Sequence, residues 1–149
     1  MDDPPAKKAR SAEVPVDDTL EARAGWHKLQ VRWLVSSETL GSEHTVVGLS
    51  TFPPGAKHDL HRHPNAEEWE YVLSGSGIKH TAGRDVPISE GDIVFTPRNE
   101  YHGVANTSEH ETLTTIWGYS AASLEEAGYV RPEDDDDPGA PRGPWPPSS

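Results

Sequence analysis

Between Gly55 and Gly75 the chain reads GAKHDLHRHPNAEEWEYVLSG, and this stretch limits the possible folds more than any other. His61 and His63 stand one residue apart, followed by Glu67 and Glu68. Side chains two apart on a strand share a face, so His61 and His63 project together and Arg62 projects the other way. From Glu68 to Leu73 the same alternation puts Glu68, Glu70 and Val72 on one face and Trp69, Tyr71 and Leu73 on the other. A carboxylate at the start of that strand supplies a third corner beside the two imidazoles. Such a donor set suits iron, manganese, nickel or zinc and leaves positions open for water or substrate. The chain has no cysteine, which argues against a Cys-rich zinc site and excludes a disulfide scaffold. A His-x-His pair alone is often just two polar residues; the flanking glycines, the glutamates and a later His102 give this one its weight.

Gly55, His61, His63, Glu68 and Gly75 meet the pattern G-x5-H-x-H-x4-E-x6-G. Gly91, Pro97, His102 and Asn106 meet G-x5-P-x-G-x2-H-x3-N, with Asn99 in place of its second glycine. Over residues 29–119 the chain therefore resembles the cupin family. The resemblance implies an all-β fold, a double-stranded β-helix (jelly-roll) barrel. It also implies one divalent metal per chain, held by His61, His63, Glu68 and His102, with Fe2+ favoured and Mn2+, Ni2+ or Zn2+ as alternatives. Asn99 tolerates the left-handed conformation that the replaced glycine would adopt. Glu67 competes with Glu68, but only Glu68 keeps the interval to Gly75 and faces with Glu70. Glu70 is the catalytic candidate, an acid–base or substrate-contacting group; the plainer reading pairs it with a barrel Arg or His.

The net charge is −12, and residues 25–130 carry fourteen acids against seven bases. Repulsion from phosphate disfavours nucleic acid and anionic membranes as partners. No 18-residue apolar run and no signal-like apolar core occur, so a cytoplasmic protein is expected. Residues 1–24 read as a disordered tail or an arm: charges of both signs surround three prolines, and Lys7, Lys8 and Arg10 look solvated. Residues 25–130 form the barrel domain. Residues 131–149 read as a disordered acidic, Pro-rich tail, in which Asp134–Asp137 lack the turn glycine of a calcium loop. Trp145 in this tail is a weak docking signal.

Within the domain, strands are expected at Leu29–Val35, Glu43–Phe52, Glu68–Leu73, Ile78–His80, Ile93–Phe95, Tyr101–Asn106 and Glu111–Tyr119. Ser74–Gly77 reads as a hairpin, and the Pro-limited Val86–Ile88 as an edge strand. Asn106 is expected to hold a turn and His80 to be an ordinary strand histidine. Ser123–Glu126 forms a capping box for one short C-terminal helix closed by Gly128, with Tyr129 and Val130 tucked back.

These readings lead to a metal-dependent enzyme acting on a small organic molecule, with Fe(II)-type dioxygenase chemistry first. The alternatives are a redox-neutral lyase, isomerase, decarboxylase or cyclase, and a non-catalytic metabolite- or sugar-binding protein. Trp26, Trp33, Trp69 and Trp117 either line an apolar pocket or pack the core. A homodimer is the arrangement that the resemblance implies.

Overall fold

The structure, a computed structural model, describes residues 3–136. Its strands are β1 Trp26–His27, β2 Gln30–Val35, β3 Val46–Phe52, β4 Lys57–His61, β5 Glu68–Ser74, β6 Ser76–Thr81, β7 Arg84–Ser89, β8 Ile93–Thr96, β9 His102–Ala105 and β10 Leu113–Tyr119. A single α-helix among the described residues, α1, spans Leu124–Ala127. The strands form two antiparallel five-stranded sheets, ordered β1-β4-β9-β6-β7 and β2-β3-β10-β5-β8. This is the expected double-stranded β-helix.

The expected hairpin at Ser74–Gly77 is not one. β5 and β6 belong to different sheets, and Gly75, at φ +83°, is the corner where the chain passes between them. A side chain there would press on Leu113 Cα at 2.9 Å and on the Thr112 carbonyl, so both conformation and space demand glycine. Tight-turn chemistry reads the same in sequence whether the chain doubles back or crosses to a second sheet. β7 is an edge strand, as the Pro87 signal predicts.

Two apolar layers fill the barrel. Phe52, Ala56, Val72, Ile88, Val104 and Leu113 pack at one end. Trp26, Val31, Val46, Trp117, Tyr119 and Ala127 pack at the other, with Leu20, Trp33 and Leu124 against them. The Trp117 indole lies in the space that a side chain at Gly48 would take. Between the layers the inward positions are polar: Ser50, Glu68, Glu70, Lys79, His102 and Thr115 are all buried.

The segments flanking the barrel pack on it. The Asp17 amide donates to the Val31 carbonyl at 2.8 Å, and Trp33 Nε1 donates to Asp17 at 2.8 Å. Ser123 Oγ accepts from the Glu126 amide at 3.1 Å, capping α1, while the Glu126 carboxylate accepts from the Ala122 amide. Residues 131–136 continue onto the surface rather than leaving it. Asp135 takes two hydrogen bonds from Arg62, at 2.9 and 2.7 Å, and one from the Tyr101 hydroxyl at 2.6 Å. Arg62 projects away from His61 and His63, is mostly buried, and needs an anion there. Asp135, within the acidic run, supplies it. Asp137 and Trp145 lie outside the described residues.

Candidate metal centre and its cavity

The side chain of His61 ends β4, His63 follows it, Glu68 opens β5 and His102 opens β9. Antiparallel pairing of β4 with β9 sets His61 opposite His102. One donor nitrogen from each of His61, His63 and His102 lies within 4.8 Å of the others. Each ring is held by its Nδ1, which donates to a backbone carbonyl: His61 to Asp59 at 2.7 Å, His63 to Gly128 at 2.7 Å, and His102 to Glu100 at 3.0 Å. With Nδ1 carrying the proton, Nε2 is left as a lone pair, the form in which imidazole binds metal. His102 Nε2 is buried without a hydrogen-bond partner, although Glu68 Oε2 stands 2.8 Å away. Glu68 Oε1 lies 3.6 Å from His63 Nε2. Glu68 is buried and Glu67 exposed. These donors fit a divalent ion: three imidazoles oriented by their Nδ1 contacts and one carboxylate close to two of them.

The electrostatics agree. Burial, with the neighbouring histidines His58, His102 and His63, pushes His61 well below the usual imidazole range. Burial alone would raise the Glu68 carboxyl, but His102, His63 and Lys79 hold it well below the usual carboxylate range. The site therefore presents a neutral His61 ring and an ionised Glu68 carboxylate at neutral pH.

The cavity beside these donors is lined by Trp26, Trp33, Phe52, Val104, Trp117 and Leu124 among apolar residues, and by His58, Glu70, Lys79 and Tyr119 among polar ones. Its volume is about 30 Å³, room for a group the size of one or two waters. Of the four tryptophans considered from sequence, Trp69 does not belong: it faces outward from β5 beside Phe95 on β8. Alternation with Glu68 and Glu70 already placed it on the opposite face.

Glu70 does point inward, but its partner is a lysine rather than an Arg or His. Lys79 Nζ donates to Glu70 Oε1 at 2.6 Å, and Thr115 Oγ1 donates to Oε2 at 2.8 Å. Lys79 Nζ is also 3.7 Å from Glu68 Oε2. His80 lies on the other side of β6, with Nδ1 2.8 Å from Asp85, away from the cavity lining. Asn106 spans a turn, its amide donating to the Phe52 and Glu111 carbonyls at 2.8 Å each. Asn99 adopts φ +72°, the left-handed conformation expected of it.

Sequence reasoning missed Lys79, Tyr119 and His58. The two-residue period of β6 puts Lys79 on the face of Gly77, and the same period on β10 aligns Tyr119 with Thr115 and Trp117. Tyr119 Oη is buried without a hydrogen-bond partner. Burial and then Glu68 push its phenol far up, so it stays protonated. His58 is stacked between Trp26 at 3.8 Å and His61 at 3.9 Å. Its Nε2 meets Tyr129 Oη at 3.0 Å, whose own proton goes to the Ala24 carbonyl at 2.7 Å. A histidine three residues before His61 falls on the cavity side only because β4 pairs irregularly between His58 and His61.

Among the described residues, no helix is long and apolar enough to cross a membrane. Residues 48–119 match the Cupin domain family. An oxalate-binding protein of Thermotoga maritima is 34% identical over 98 residues, spanning 66% of this chain and 81% of that one. The crystal structure of a predicted oxalate decarboxylase from the same organism aligns with TM-score 0.66 and 29% identity, over 75% of this chain and 96% of the other. The polyketide cyclase RemF of Streptomyces resistomycificus aligns with TM-score 0.71 over 89% of each chain, and at 22% identity it speaks to the fold alone. Sequence likeness that runs through four fifths of a relative is more than a shared barrel brings, and this chain belongs to the cupin family.

Proposed function

We propose that this chain binds one divalent transition metal through His61, His63, Glu68 and His102, and that it acts on a small organic ligand held beside that metal. The carrying observation is the set of three imidazoles whose Nδ1 atoms are all committed to backbone carbonyls, with the buried Nε2 of His102 2.8 Å from the Glu68 carboxylate. Four protein donors leave roughly two positions on a six-coordinate ion, enough for a ligand with paired oxygens. A relative named for binding oxalate supports a ligand of that kind.

The reaction favoured is redox-neutral: a lyase, isomerase, decarboxylase or cyclase step. A divalent ion bound here supplies Lewis-acid polarisation of a ligand oxygen. The protein's own groups do the rest. Tyr119 keeps its proton and its hydroxyl lacks a hydrogen-bond partner among the described residues, so it donates a hydrogen bond to the ligand. Trp26, Trp33, Phe52 and Trp117 exclude water and strengthen every charge interaction inside. Glu70 acts through Lys79, whose ammonium it holds in place. The same dry aromatic wall favours iron(II) dioxygenase chemistry as a second reading, since it shields reactive oxygen species from side reactions.

The first experiment is elemental analysis of protein purified without chelator, followed by titration of stripped protein with Mn2+, Fe2+, Ni2+ and Zn2+. One ion per chain and a raised melting temperature are expected. No stoichiometric binding of any of them would refute the proposal. Substrate-dependent oxygen uptake by the iron form would move the reaction to the second reading. A homodimer is also expected, because Ile93 and Phe95 on edge strand β8 are 64% and 56% exposed beside Tyr71 and Leu73. Light scattering that returns the monomer mass at micromolar concentration would refute it.

A further inference from the structure

Two of the three histidine rings at the metal site are oriented locally. His61 and His102 each donate to a carbonyl two residues back, at Asp59 and at Glu100. His63 differs: its Nδ1 donates to the Gly128 carbonyl, 65 residues further along the chain. The orientation of that ring therefore depends on where the segment after α1 lies. This segment runs antiparallel to the end of β4 as a strap. The Arg62 amide donates to the Val130 carbonyl at 2.9 Å, and the Val130 amide donates to the Arg62 carbonyl at 3.1 Å. A short turn over Pro132–Asp134 then brings Asp135 back against the sheet.

The Asp135 side chain is 0% exposed and that of Arg62 only 9%. Oδ1 of Asp135 accepts from Arg62 Nη2, and Oδ2 accepts from Arg62 Nε and from the Tyr101 hydroxyl. A two-pronged arginine–carboxylate pair fixes direction as well as distance. Arg62 stands between His61 and His63, and Tyr101 immediately precedes His102. Neither Arg62 nor Tyr101 lines the cavity, whereas all three histidines do. In extended chain neighbouring side chains point to opposite faces. One carboxylate thus grips, from behind the sheet, the two residues whose chain neighbours are all three imidazoles.

We infer that Asp135 is a positioning residue for the metal centre, with Arg62 and Tyr101 as its handles and the Gly128–Asp135 strap as the part it anchors. This rests on the metal reading above and adds to it what holds the donors in place. Metal donors must stay within about 0.5 Å of the productive geometry to bind well. Without the Asp135 carboxylate the buried guanidinium loses its two-pronged partner, which such a charge does not tolerate in place. The strap is then tied down only upstream, and the Gly128 carbonyl holds the His63 ring less firmly.

The test uses the full chain, stripped of metal, and calorimetric titration with Mn2+ at a temperature where urea unfolding shows each variant to be folded. Visible absorption of the Co2+-loaded protein reports the geometry of the donors. Asp135→Asn weakens Mn2+ binding about tenfold or more, the range typical of groups that orient metal ligands, and shifts the Co2+ bands. Tyr101→Phe, which removes no charge, weakens binding by a smaller factor in the same direction. Asp134→Asn removes an exposed charge one residue away and leaves affinity and spectrum as in wild type. A role confined to fold stability lowers the urea midpoint of Asp135→Asn and leaves both metal readouts unchanged, and that result overturns the inference. Equal weakening by Asp134→Asn also overturns it, since the effect is then one of charge at a distance. If Asp135→Asn does not fold, Tyr101→Phe decides, and wild-type affinity and spectrum in that variant overturn the inference. Failure of the wild type to bind Mn2+ or Co2+ stoichiometrically shows before any variant is made and refutes the metal reading itself.

Discussion

Lys79→Met perturbs the least expected part of the barrel, a lysine at its centre. Lys79 and Glu70 are 1% and 5% exposed, and their charged atoms are 2.6 Å apart. Methionine nearly matches the lysine stem in volume, so the loss through packing is small. What remains is Glu70, buried and accepting from the Thr115 hydroxyl at 2.8 Å. Removing one member of a buried pair costs about 3–5 kcal/mol. That is a large share of the roughly 5–15 kcal/mol that holds a domain folded. For a chain of this size it lowers the melting temperature by about 6–20 °C. Glu70→Gln/Lys79→Met removes both charges and keeps an acceptor for Thr115, so it recovers most of the loss, with a coupling of about 2 kcal/mol or more. The assay is urea unfolding of metal-free protein followed by tryptophan fluorescence, which the five tryptophans make convenient. The reasoning fails if Lys79→Met unfolds within about 1 kcal/mol of wild type, a surface-like value. It fails equally if the double variant is no more stable than Lys79→Met.

Further outcomes follow from the site and its walls. Glu67→Gln leaves metal affinity unchanged because Glu67 is exposed, whereas Glu68→Gln and His61→Ala each weaken it severely; competition against a chromogenic chelator reads all three, and the reverse order for the two glutamates would move the ligand to Glu67. Metal-free protein loses stability as pH falls below about 6.5, the ordinary histidine value. His61 and His58 have folded values depressed below it, so the unfolded chain takes up protons there that the folded one refuses. A melting temperature that is flat or rising from pH 7 to pH 5 would contradict this. Gly48→Ala forces the Trp117 ring out of its place and costs about 1–3 kcal/mol, with a shifted Trp117 signal in NMR or fluorescence; wild-type stability would show that the indole has room to move.

Much of this site was legible before any coordinates because its parts are local. His61, His63 and Glu68 lie within eight residues, and the two-residue period of a strand decides which of them share a face. Glycines at the corners and the Asn99 substitution carry conformational requirements that are properties of single residues. The Ser123 cap and the Asn106 turn follow from the same short-range chemistry. The misreadings share a cause as well. The Ser74–Gly77 turn looked like a hairpin because a turn's residues do not say which sheet the next strand joins. Asp135 looked like part of a solvated run because its partner, Arg62, is 73 residues away in sequence.

The sequence by itself determined which candidate donors share a strand face and the strand-and-turn rhythm of the barrel, since these depend on residue type and on alternation within one strand. Tertiary structure alone decided which strands lie side by side, and so that His102 stands opposite His61. It also decided that Lys79 meets Glu70, that Tyr119 keeps an unshared hydroxyl in the cavity, and that His63 leans on the Gly128 carbonyl. Those outcomes depend on pairing between distant segments, where burial makes each unpaired charge or polar atom costly. That cost has no counterpart in the order of residues along the chain.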